Sequence, residues 1–427
     1  DMWELGVQIL EEIKEYKIKN NIPVVSGGVF STFAPEIVSK NDLVDLVCVG
    51  EGENVLVDLC RKIKNKEDYS DLTNCWVKKD GVLINKNSIS NPVDVNKNPI
   101  IDIGLFEENR LYRPMGGTVY KMFPVETIRG CPYKCRYCNS PDQERLYRKE
   151  TGKAFFRKRR MDLVEKELYH FKNNLGAEYL YFWADTFLAM SKTELEEFCE
   201  IYSRIKLPFW IETRPETVND YNISKLAAVG LDRISFGVEH GNEAFRLKVL
   251  GRLWKNEDII TALRVPHKYG VKFSVNNITG FPYETKKLAF DTIELNRHIE
   301  SDNQNIFTFV PFHGTPLRKT CEDLGLIKPE TITTTCTTDD TQLIMSQYPP
   351  HEIKEVLRTF NMYCKFPRNR WKDIKKAEKT DTEGEKVYQE LKQEFLEKYM
   401  PKPNANPRNA AKDFVFHAKS IDLAKNP

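Results

Sequence analysis

The sequence lacks any long hydrophobic run. Its apolar stretches are strand-sized, so nothing in its 427 residues reads as a membrane span or a secretory leader, and a cytoplasmic location is the expectation. A charge imbalance is absent too: 64 basic residues against 62 acidic ones leave a formal net charge of +2, which gives no general case for nucleic acid or an anionic membrane as a partner. Disulfide spacing is also missing. Cys48, Cys60, Cys75, Cys199, Cys321, Cys336 and Cys364 are scattered, as in a reducing compartment. The composition, 41% hydrophobic and 30% charged, is that of a globular chain long enough for two or three domains.

What is present is a concentration of thiols. Cys131, Cys135 and Cys138 fall within the stretch Glu126-Thr127-Ile128-Arg129-Gly130-Cys131-Pro132-Tyr133-Lys134-Cys135-Arg136-Tyr137-Cys138-Asn139, just after a β-prone run at 123–128. Soft thiolates suit iron–sulfur clusters and zinc, and such sites normally take four protein donors. Only three are near. A [4Fe–4S] cubane held by these three cysteines, with its fourth iron open to a cofactor or substrate, fits that count. The alternatives are a zinc knuckle, whose next donors would be His170 and Cys199 in predicted helices, and a loop of free thiols.

The rest of the chain reads as α/β. Residues 1–69 carry a helix with Leu5, Ile9, Ile13 and Tyr16 at helical spacing, then strands at 22–26 and 43–49 that end in Gly27-Gly28 and Gly50-Glu51-Gly52-Glu53. That is part of a doubly wound, Rossmann-like parallel sheet, whose ligands lie at the carboxyl ends of the strands. Residues 70–122 read as a hairpin with an Asp80-Gly81 turn followed by a proline-containing linker. Over 123–325, strands at 123–128, 179–184, 209–213, 233–238, 272–279 and 305–310 alternate with helices at 162–175, 192–205, 222–229, 256–269 and 286–299. Residues 326–427 read as mostly helical, at 351–363 and 383–399, with a Thr-rich loop at 331–341 and a polar tail from 401. The basic run 145–160 reads as a solvated loop or as a cradle for an anionic substrate.

The Cys-x3-Cys-x2-Cys spacing, with Gly130 before the first cysteine and Tyr137 before the third, resembles the signature of radical S-adenosylmethionine enzymes. The resemblance implies a partial (β/α)6 barrel. In that family the open iron chelates the amino and carboxylate groups of S-adenosylmethionine, whose reductive cleavage gives a 5′-deoxyadenosyl radical. By the same resemblance Asp185 faces the methionine part of the cofactor, with a helix N-cap as its other reading. Arg214, in Glu212-Thr213-Arg214-Pro215, would take a carboxylate, or form a structural salt bridge. Glu239 would lie by the ribose hydroxyls or the amino group, and Gly280 with Phe281 would edge the adenine. His240 reads as a satisfied surface histidine and His313 as a turn residue or a group facing substrate.

The segments 24–36 and 44–53 resemble the second half of the cobalamin-binding domain that precedes many such barrels, which places Ser26, Gly27, Gly28 and Gly50 along the nucleotide tail. A generic Rossmann-like half without a corrin is the alternative. The chain opens at Asp1 without the first strands of such a domain or an Asp-x-His-x-x-Gly motif, so it is expected to be a piece that binds cobalamin weakly or not at all by itself. The activity implied is cobalamin-dependent methylation of an unactivated carbon in a small molecule. An electron donor such as flavodoxin or ferredoxin would serve it, with no side chain as principal catalyst. A cobalamin-linked cyclisation or rearrangement, or a non-catalytic iron–sulfur or zinc module, are the competing readings.

Overall fold

At the amino end, β1 (Val25–Ser26) and β2 (Leu46–Cys48) run parallel, and a hairpin of β3 (Cys75–Lys79) and β4 (Val82–Lys86) extends them antiparallel in the order β1-β2-β3-β4. These come from a computed structural model that describes residues 2–333 and 340–400. The middle of the Thr-rich loop and the tail from 401 therefore lie outside the described residues. Asp80 and Gly81 both have positive φ, as a two-residue hairpin requires. The hairpin expected in the connector thus belongs to the N-terminal sheet. The opening helix, Met2–Glu12, turns Leu5 and Ile9 to solvent, while Trp3 and Leu10 pack on Val38, Val44 and Val47. Spacing reveals an apolar stripe without revealing which way it faces.

A second sheet follows. Strands β5 (Tyr112–Met115) and β6 (Thr118–Glu126) form a hairpin, and a short ribbon joins β7 (Ile128–Arg129) to β8 (Arg157–Lys158). Then come β9 (Tyr179–Trp183), β10 (Phe209–Thr213), β11 (Leu231–Glu239), β12 (Lys272–Thr279) and β13 (Asn303–Thr308). The sheet order is β13-β12-β11-β10-β9-β6-β5. Every pairing from β6 to β13 is parallel, so the six expected barrel strands are all present and the sheet remains an open half-barrel. The antiparallel β5, in the segment expected to be linker, is an addition. Pro114 fits there because β5 is an edge strand and needs no second set of amide donors.

Strand alternation divides the two faces. Leu180, Phe182, Ile211, Ile234, Phe236 and Val275 turn outward onto helix residues such as Leu195, Phe198 and Tyr202. The opposite parity places Trp183, Glu212, Ser235, Asn276 and Asn305 on the concave side. There Asn276 Nδ2 donates to Ser235 Oγ at 3.0 Å, and Asn305 Nδ2 donates to Asn276 Oδ1 at 2.9 Å. The inner face is polar rather than packed. On the β13 side the helix Pro350–Lys365 packs against both β13 and the helix Lys286–Arg297.

One buried carboxylate ties the two sheets together. Glu51, 8% exposed, accepts from Arg129 Nη1 at 2.7 Å, from Arg157 Nη2 at 2.6 Å and from the Val93 amide at 2.8 Å. Its own amide donates to the Tyr147 hydroxyl at 2.8 Å, and its carbonyl accepts from Asn74 Nδ2 at 3.0 Å. The basic run is therefore in part a solvated face, at Arg145, Arg148, Lys149 and Arg160, and in part structural, at Arg157 and Arg159. It spans the helix Ser140–Thr151 and β8, and its cations are largely spent on carboxylates: Arg157 on Glu51, Lys158 on Glu194, Arg159 on Glu167, Arg160 on Asp162 and Arg148 on Glu144.

Burial alone would raise the Glu51 carboxyl, but hydrogen bonds from Arg157 and Arg129 outweigh it and hold the group below its ordinary 4.5. A carboxyl depressed in the folded state stabilises above its unfolded pKa, and that stability is lost as pH falls through the folded value. Glu51→Gln should cost about 3–5 kcal/mol in denaturant unfolding at pH 7, the range for breaking a buried pair. The difference from the parent should shrink as the pH is lowered below 4.5.

Candidate functional site

The cysteine loop leaves β7 where only glycine fits. Gly130 has φ +87°, and a Cβ there would stand 3.0 Å from the Phe155 ring and 3.1 Å from the Phe156 backbone. The loop that follows lies at the carboxyl ends of the parallel strands, where parallel barrels place their reactive groups. Each sulfur has a polar neighbour. Cys131 Sγ lies 3.4 Å from Thr186 Oγ1, Cys138 Sγ accepts from the Ser140 amide at 3.4 Å, and Cys135 Sγ accepts from Arg214 Nη1 at 3.3 Å. Burial pushes the Cys131 thiol up and the Cys138 thiol up to about 12, so thiolates there would need a metal to stabilise them.

Among the described residues no three His, Cys, Asp or Glu side chains converge as the ligands of one metal ion do. A tetrahedral zinc ion demands that convergence. A cubane binds each thiolate to a different iron and does not, so three soft donors on one loop fit the cluster.

A chain of charges surrounds the loop. Arg214 Nη2 donates to Glu216 at 2.7 Å, Arg252 Nη2 approaches Glu216 at 3.2 Å, and Arg252 Nη1 donates to Glu239 at 3.1 Å. The Tyr137 hydroxyl lies 3.4 Å from Arg252 Nη1, and its ring meets Phe281 edge-on at 6.1 Å. Tyr137 thereby links the ends of β11 and β12. Burial raises the Glu239 carboxyl despite Arg252, whereas the two arginines overcome burial at Glu216 and lower it. Glu239 sits at φ +69°, a left-handed conformation that a non-glycine residue holds only where its surroundings enforce it.

The expected residues are brought together unevenly. Asp185 Oδ2 accepts from Ser140 Oγ at 2.6 Å, directly behind the cysteine loop, and burial raises its carboxyl. It caps no helix, since Ser191 caps the helix Lys192–Ile205 with a full capping box. Arg214 has both terminal nitrogens engaged, by Cys135 and Glu216, so the carboxylate it takes here is the structural one of Glu216. Gly280, at φ +83°, donates its amide to Glu284 at 2.6 Å. Phe281 is fully buried against Phe309 and Tyr137, so it supports the wall of the site from behind and presents no open ring.

His240 is no surface residue. It is wholly buried, stacked on Phe245 at 4.4 Å, with Nε2 3.3 Å from Glu284. His313 Nε2 donates to the Thr331 carbonyl at 3.1 Å, and burial, then Arg318, lowers its pKa to about 4, which keeps it neutral. Its ring meets Phe30 of the N-terminal part edge-on at 5.2 Å.

In that N-terminal part, Ser26 and Gly27 line a hollow of about 300 Å³ with Trp3, Phe30 and Val44. Ser26 Oγ shares a hydrogen bond with Ser31 at 2.9 Å. Gly28, at φ +89°, has open space where a Cβ would stand. Gly50 does not. A Cβ there would lie 2.6 Å from the Tyr147 hydroxyl, so Gly50 makes room for this chain's own side chain.

Sequence reading missed Glu216, Arg252, Glu284 and Glu212. Glu212 lies on the concave face beside Trp183, which the register sets next to Glu126. Burial, then Asp185 and Glu239, raises the Glu212 carboxyl. Its place two residues before Arg214, on the inward parity of a barrel strand, was the available signal.

Comparison with known proteins agrees with this geometry. Residues 125–295 match the radical SAM superfamily. An uncharacterized methyltransferase of Pyrococcus horikoshii is 25% identical over 302 residues, 70% of this chain and 63% of the relative. An anaerobic magnesium-protoporphyrin IX monomethyl ester cyclase of Synechocystis is 25% identical over 272 residues, 61% of this chain and 50% of the relative. The chain thus spans between half and two thirds of the length of these curated relatives. The solved structure of the cobalamin-dependent S-adenosylmethionine radical enzyme OxsB, with aqua-cobalamin and S-adenosylmethionine bound, superposes with a TM-score of 0.61 at 16% identity. The match covers 96% of this chain and 65% of that one. The stretch 125–295, which carries the three cysteines and most of the half-barrel, is a radical SAM domain.

Proposed function

We propose that the protein is a cobalamin-dependent radical S-adenosylmethionine methyltransferase acting on a carbon of a small molecule. The observation that carries this is the loop of Cys131, Cys135 and Cys138 at the carboxyl ends of six parallel strands, facing a polar concave surface. When bound, a [4Fe–4S] cluster supplies an electron for cleaving S-adenosylmethionine to a 5′-deoxyadenosyl radical, and cobalamin supplies the methyl group that the substrate receives.

The chain's own work is binding and orientation. Cys131, Cys135 and Cys138 hold the cluster. Asp185, fixed by Ser140, accepts from the ammonium of S-adenosylmethionine. Glu239, held by Arg252, takes a hydroxyl or amino donor of the same molecule, and the Gly280 backbone with Tyr137 borders the base. Ser26, Gly27 and Gly28 offer a close approach for the nucleotide tail of cobalamin, and Gly50 holds its loop against Tyr147. The polar ladder Ser235–Asn276–Asn305 lines the substrate side. A small reductant protein of the flavodoxin or ferredoxin type supplies electrons in the cytoplasm. Ring closure is the second reading, favoured by the likeness to the cyclase; analysis of the product, a methylated carbon or a new ring, separates the two.

Anaerobic reconstitution should give about four irons per chain, and Cys131→Ala, Cys135→Ala or Cys138→Ala should each abolish both the cluster and 5′-deoxyadenosine release. Cys199→Ala, in the helix Lys192–Ile205 away from the loop, should change neither. Retention of cluster and cleavage by the three loop variants would sink the assignment. By isothermal titration, Glu239→Ala should bind S-adenosylmethionine more weakly by about 1–3 kcal/mol with iron content intact, the range for a charged hydrogen bond lost in a buried site.

A further inference from the structure

Arg214 is held as few surface arginines are. Its guanidinium stacks on the Tyr133 ring at 3.8 Å, Nη2 donates to Glu216 at 2.7 Å, and Nη1 donates to Cys135 Sγ at 3.3 Å. Tyr133 and Cys135 belong to the cysteine loop itself, whereas Arg214 and Glu216 stand at the end of β10, so the contact crosses from one element to another. Arg252 adds a second guanidinium against Glu216 and Glu239. Two cations and two carboxylates thus balance one another beside a single sulfur. All four are mostly buried, with side-chain exposures of 12% and 4% for the arginines and 11% and 13% for the carboxylates.

We infer that Arg214 sets the reduction potential of the cluster through its hydrogen bond to the Cys135 sulfur, with Glu216 as the opposing charge. The inference rests on the three-cysteine cluster assigned above. Reduction of a [4Fe–4S] cluster adds one negative charge, and hydrogen bonds and net charge at the ligand sulfurs are among the levers that move its potential. A guanidinium stays protonated at any working pH and offers a fixed fork, so the field on the sulfur is constant. In a water-poor pocket that field is weakly screened. Arg214 therefore favours the reduced cluster, and Glu216 limits how far. This role differs from gripping the carboxylate of a ligand, since Glu216 already takes that place.

The test is a redox titration of the anaerobically reconstituted protein, followed by electron paramagnetic resonance of the reduced cluster, with iron counted in every sample. Arg214→Gln should shift the midpoint potential to more negative values, and Glu216→Gln should shift it to more positive values. Opposite shifts cannot come from a general loosening of the loop, which would move both variants the same way. If Arg214→Gln fails to load iron, Glu216→Gln decides alone: a positive shift supports the inference, and no shift or a negative one overturns it. Equal potentials in parent and both variants at equal iron content would overturn it while leaving the cluster in place. A parent protein that takes up no cluster would instead refute the functional reading on which the inference rests.

Discussion

The placement of everything else depends on the carboxylate of Glu51. Two arginines from the ribbon beside the cysteine loop converge on it from one side, and a sheet built largely from the first ninety residues carries it on the other. Burying one charge is costly unless it is paired and its lone pairs are filled. Here two guanidiniums and an amide fill them, so the geometry is satisfied only when both parts of the chain meet in one arrangement. Hydrophobic contact alone would permit sliding. A directional ionic contact of this kind specifies a register.

At the strand ends the same physics serves chemistry. Glu216 and Glu239 face Arg214 and Arg252 in an arrangement with no net charge, and the hydrogen bonds reach the sulfur of Cys135 and the hydroxyl of Tyr137. The concave wall beyond is polar and open, with Glu212 and Asp185 both exposed there and both carboxyls raised by their crowded surroundings. The outward face of the same strands is the main hydrophobic core, which keeps the inward side chains in position.

Much of this was legible in the sequence, for reasons that can be named. β10, β12 and the helix Lys192–Ile205 stand where periodicity predicts, because long stretches with one buried face repeat at a fixed interval. The cysteine loop was legible because its spacing admits few uses. The partners of the loop were not. Arg252 lies outside any helix or strand and meets Glu216 across 36 positions, and no local pattern records such a pairing. Gly50 drew attention as a strand-end glycine, yet what approaches it is Tyr147, which is 97 positions further on in sequence and visible only in three dimensions. Phe281 stood in a recognisable motif, but its burial follows from Phe309 and Tyr137, on other elements.

Arg129 stands two residues before Cys131 and hydrogen-bonds Glu51 and Glu53, at the loop that follows β2. One short strand therefore separates that loop from the first sulfur. The iron would then serve as a built-in reporter. Its spectrum would register a change in that ionic contact without any label being attached there, much as a needle fixed to one end of a lever shows what is resting on the other.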